Sequence, residues 1–60
     1  MIIAVGTTVR TSSRVAKYDN KLGTVIAVYK GDSLTASSYT VRIGHKEYLF
    51  YHRKLTVVGE

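Results

Sequence analysis

Sixty residues without a single cysteine set the tightest limit on what this chain can become. A chain so short buries only about 60% of the surface that its unfolded form exposes. Disulfides and thiolate metal sites, the usual supports of small domains, are excluded. Packing and a well-paired sheet must therefore hold one domain, residues 1–60, together. Lack of cysteine also suits a reducing compartment, so a cytoplasmic location is the expectation.

The pattern of side chains is that of short strands. Glycines at 6, 23, 31, 44 and 59 fall near the edges of β-rich segments, where the chain must turn. Residues 2–5 and 7–11 read as a first strand, bent or interrupted at Gly6, with Ile2 and Ile3 on an edge. Residues 12–22 have mixed polarity and read as a long loop. Gly23-Thr24-Val25-Ile26-Ala27-Val28-Tyr29 is the clearest strand, rich in β-branched and aromatic residues. Gly31-Asp32-Ser33 turns the chain, and residues 34–38 complete the connection. Tyr39, Val41 and Ile43 alternate with polar residues and so share one face.

Gly44-His45 suits a two-residue hairpin turn of the type that needs glycine first. That turn sets Ile43 opposite Lys46, Arg42 opposite Glu47, Val41 opposite Tyr48 and Tyr39 opposite Phe50. An ion pair then lies outside while aromatic residues meet apolar ones inside, with Thr40 and Leu49 facing outward. Tyr51-His52-Arg53-Lys54 reads as one helical turn, followed by a last strand over residues 55–58. No stretch keeps a helical apolar period for three turns, so a helical fold is excluded. The expected class is all-β: a small five-stranded barrel with a short helical turn before its last strand.

That arrangement resembles the SH3-like superfold over nearly the whole chain. The likeness rests on Gly6-x-x-Val9-Arg10, Gly23-Thr24-Val25-x-x-Val28, Tyr39-Thr40-Val41-Arg42-Ile43 and Leu55-x-Val57. Within the superfold, Gly23-Thr24-Val25-Ile26 is similar to the KOW motif, whose proteins bind RNA or parts of the transcription and translation machinery. The same strand pattern resembles the photosystem I subunit PsaE and the variable chain of ferredoxin–thioredoxin reductase. Those barrels help dock acidic ferredoxin. The type II dihydrofolate reductases are also short SH3-like barrels, but Tyr48-Leu49-Phe50-Tyr51 lacks their Val-Gln-Ile-Tyr signature.

Charge narrows the partner. Nine Lys and Arg against four Asp and Glu leave a net charge of +5. A field of that sign on so small a surface favours nucleic acid or an acidic protein. The candidate binding residues are Arg14, Lys17, Tyr18 and Lys21 in the long loop, and His45 and Lys46 at the hairpin tip. Tyr51, His52, Arg53 and Lys54 around the last turn complete the set. Lys and Arg would neutralise phosphates, while Tyr18 and Tyr51 would stack on exposed bases. Tyr29, Tyr39, Tyr48 and Phe50 read as core.

Other classes find little support. The apolar run 1–5 is too short to span a bilayer and has no basic leader, so neither membrane nor secretory signal is expected. His45 and His52 have no convergent partners for a metal, and no cofactor is expected. The serines at 12, 13, 33, 37 and 38 sit in loops, and no nucleophile or phosphate-loop motif is present, so the expectation is a binding module rather than an enzyme. Self-association through an edge strand remains an open alternative.

Overall fold

The β-branched and aromatic runs form five antiparallel strands in the computed structural model, which describes residues 2–58. They are β1 (Thr8–Thr11), β2 (Leu22–Tyr29), β3 (Ser38–Ile43), β4 (Lys46–Tyr51) and β5 (Leu55–Val57), in the sheet order β4-β3-β2-β1-β5. Among the described residues the only helical elements are 3-10 turns at Ala16–Tyr18, Leu34–Ala36 and His52–Lys54. The domain is all-β with a helical turn before its last strand, and it is compatible with a small barrel.

The β3–β4 hairpin forms in the register expected from its turn. Ile43 pairs with Lys46, Arg42 with Glu47, Val41 with Tyr48 and Tyr39 with Phe50. Gly44 has φ +64°, and His45 is not left-handed, so glycine takes the first turn position as its chemistry requires. Arg42 and Glu47 approach to 3.7 Å on the outer face, where both are more than half exposed. Such a pair contributes little to stability.

β2 departs from simple alternation. Val25 faces Val41 but Ala27 faces Thr40, which leaves Ile26 as an additional residue in a bulge. Gly23 and Val25 point inward before the bulge, whereas Val28, opposite buried Tyr39, packs on the core after it. Bulges bend strands and increase their twist. Here the bend separates Leu22, Gly23 and Thr24, which pair with β1, from Ala27, Val28 and Tyr29, which pair with β3 alone. The parity change also corrects one expectation: Tyr29 lies outside the core, 53% exposed.

The core is Ile3, Val9, Val25, Tyr39 and Val41, with Ile2, Val28, Ile43, Phe50 and Leu55 packed against it. Ile2 and Ile3 reach it without forming a strand, contrary to expectation. The Thr7 amide donates to the Ala4 carbonyl at 3.2 Å, and Gly6 has φ +94°, so the chain turns before β1 begins. The Ile3 amide instead donates to the Tyr39 hydroxyl at 3.2 Å. The expected roles of Met1 and Gly59 lie outside the described residues.

Candidate functional site

The long loop between β1 and β2 is held in place by one threonine. Thr11, the last residue of β1, is nearly fully buried. Its hydroxyl donates to the Tyr18 carbonyl at 2.7 Å and accepts the Lys21 amide at 3.0 Å. Its main chain also bonds Lys21 and Asn20. Asp19 accepts the Ser13 amide, Ser13 Oγ accepts the Val15 amide, and Arg10 donates to the Asn20 side chain. Asn20 is left-handed at φ 56°, a conformation asparagine tolerates better than most residues. These bonds fix the 3-10 turn that carries Lys17 and Tyr18. Replacing Thr11 by valine keeps the shape but removes both bonds from part-buried partners, at an expected cost of about 1 kcal/mol. A urea titration measures that loss, and faster exchange of the Asn20 and Lys21 amides would place it in this loop.

Tyr18 leaves this loop and meets β4. Its ring stands edge-on to Tyr48 at 5.2 Å between centroids, and Tyr48 in turn meets Phe50 edge-on at 6.5 Å. Lys17 Nζ lies 5.5 Å from the Tyr18 ring centroid, within cation–π reach. The space between loop and strand is a groove of about 300 Å³ lined by Ser12, Ser13, Tyr18, Lys54 and residues 48–51. Successive strand residues point to opposite faces. Four in a row lining one hollow therefore place it along the edge of β4, which pairs only with β3. Leu49 and Tyr51 are 64% and 56% exposed there. Tyr51 also borders a second hollow with Thr35, Ala36 and Arg53, so the surface continues past the end of β4.

The structure brings together part of the sequence-predicted set. Tyr18, Tyr51 and Lys54 line the groove, Lys17 sits on the Tyr18 ring, and Arg53 borders the adjoining hollow. Arg14 and Lys21 are exposed on the same loop but do not line it. His45 and Lys46 stand at the hairpin tip, the far end of β4, roughly 17 Å from Tyr51 at the usual rise per strand residue. His52 turns inward: its Nδ1 is 2.8 Å from the buried Tyr39 hydroxyl, and the two rings lie 5.7 Å apart.

No protein-family model, curated protein or solved structure matches the chain. Function must therefore be argued from the groove itself. Sequence reasoning assigned Tyr48 and Phe50 wholly to the core, yet both are half-buried and also line the groove. The signal for them was the run of four large uncharged residues at 48–51, which one buried face cannot absorb. Among the described residues no group of three His, Cys, Asp or Glu is placed to hold a metal ion. No helix there is long and apolar enough to cross a membrane.

Proposed function

We propose that the groove binds single-stranded nucleic acid. The observation that carries this reading is the convergence of Tyr18, Tyr48, Phe50 and Tyr51 with Lys54 in one open groove. Charge alone would serve an acidic protein equally well. Aromatic faces beside cations are what bases and phosphates need together, and stacking contributes about 1–3 kcal/mol per base. The groove is open rather than enclosed, which suits one or two bases of a strand that continues beyond it. Lys17, Arg53 and Lys54 would meet phosphates, while the partly exposed rings take bases.

Fluorescence anisotropy with labelled single-stranded RNA, single-stranded DNA and duplex DNA tests this at about 50 and 200 mM salt. Affinity should fall steeply with salt and favour a single strand over a duplex. Lys54→Ala should weaken binding and flatten the salt dependence by about one counterion. Tyr51→Ala should weaken it with the salt slope unchanged. No binding to any of the three at the lower salt overturns the reading and moves the choice to an acidic protein.

A further inference from the structure

The edge of β4 carries unclaimed main-chain chemistry that nucleic acid does not need. Pairs in an antiparallel ladder alternate between bonded and non-bonded positions. The His52 amide donates to the Ser37 carbonyl at 3.0 Å, one step beyond the Ser38–Tyr51 pair. Counting back from that bond, Phe50, Tyr48 and Lys46 bond to β3, whereas Tyr51, Leu49 and Glu47 turn their N–H and C=O groups away. The outward groups of Leu49 and Tyr51 therefore face the groove.

Edge strands are usually blunted by charge, proline or a bulge. Residues 48–51 have none of these, and β4 runs through them in unbroken register. We infer that this edge takes up an extended acidic polypeptide segment as an added strand.

Two observations select that occupant. The groove has a second wall, formed by Ser12, Ser13, Tyr18 and Lys54, so it admits a single chain rather than the edge of another whole sheet. Lys54 lines it, Lys17 lies against the Tyr18 ring, and Arg53 borders the adjoining hollow. A second copy, itself at +5, would bring like charge to that rim. Carboxylates alternating along a strand would instead meet it, while main-chain bonds to Leu49 and Tyr51 supply the affinity.

The segment would occupy the groove in place of nucleic acid and draw on the same lysines, so the two compete and are tested separately. The probe is a blocked peptide alternating valine and glutamate over the length of β4, followed by amide exchange in heteronuclear NMR spectra. Saturable binding with slowed exchange at Leu49 and Tyr51 is the expected result. Two analogues, one N-methylated on valines and one on glutamates, keep the charge but lose alternate N–H donors. One of them should bind roughly tenfold more weakly, since it loses main-chain hydrogen bonds along the edge.

Leu49→Pro should also abolish peptide binding while leaving the β3–β4 ladder intact, because the Leu49 N–H points away from β3. If that variant fails to fold, the two analogues still decide. Equal binding of all three peptides would reduce the interaction to charge and overturn the inference. So would an oligonucleotide that binds where the peptide does not, an outcome that leaves the nucleic-acid reading standing.

Discussion

Tyr39→Ala is expected to remove more than half of the chain's stability near room temperature. Tyr39 is the largest fully buried side chain, at 0% exposure among Ile3, Val9, Val25 and Val41. Truncating a buried aromatic residue costs about 3–5 kcal/mol. Scaling by length gives a domain of this size only about 3–9 kcal/mol in all. Tyr39→Phe isolates the hydroxyl and should cost about 1–3 kcal/mol. Urea titrations followed by circular dichroism would measure both, and an unchanged midpoint for Tyr39→Phe would remove the hydroxyl from the account.

That hydroxyl joins three parts of the chain. The Ile3 amide can only donate, so the phenolic oxygen accepts from it. The same oxygen lies 2.8 Å from His52 Nδ1 and so holds the imidazole in place as well. His52 opens the 3-10 turn that carries Arg53 and Lys54, and the Lys54 carbonyl in turn accepts the Ser12 amide at 2.8 Å. The core residue thus positions one wall of the groove. Tyr39→Phe should for this reason loosen the turn and weaken ligand binding as well as stability.

How much of this was legible depends on where the information sits. The hairpin register was readable because Gly44-His45 and the alternation on both strands dictate it locally. Tyr39 and Val41 were readable as core for the same reason. The bulge at Ile26 was not, because Val25-Ile26-Ala27-Val28 is apolar on both parities and hides the change of face that exposes Tyr29. Gly6 marked the interruption before β1, but the apolar run ahead of it hid that Ile2 and Ile3 enter the core without pairing. The groove depends on a long-range meeting of Tyr18 with Tyr48, thirty residues apart in sequence. Sequence supplied its aromatic and basic components but not their convergence, and it scattered His45 and Lys46 among them.

Gly23→Ala should be strongly damaging for a single added methyl, at about 3 kcal/mol, the upper end of ordinary overpacking. A Cβ at Gly23 would sit 2.5 Å from Val41 Cγ1, 2.7 Å from the Arg42 carbonyl oxygen and 3.0 Å from Ile43 Cγ1. Val41 is fully buried and the Arg42 carbonyl belongs to the sheet backbone, so neither yields without parting β2 from β3. Gly6→Ala is the informative control: nothing lies within 4 Å of its Cβ, and only its φ of +94° opposes the change. Thermal melts of the two variants should therefore rank Gly23→Ala well below Gly6→Ala, with the β2–β3 amides exchanging faster in the former. A Gly23→Ala protein as stable as the parent would show that the strands part at no cost. Packing alone is reason enough for glycine here, so Gly23 is no evidence for a ligand. The argument for nucleic acid rests on the rings and cations of the groove, and Gly23 variants that still fold should bind as the parent does.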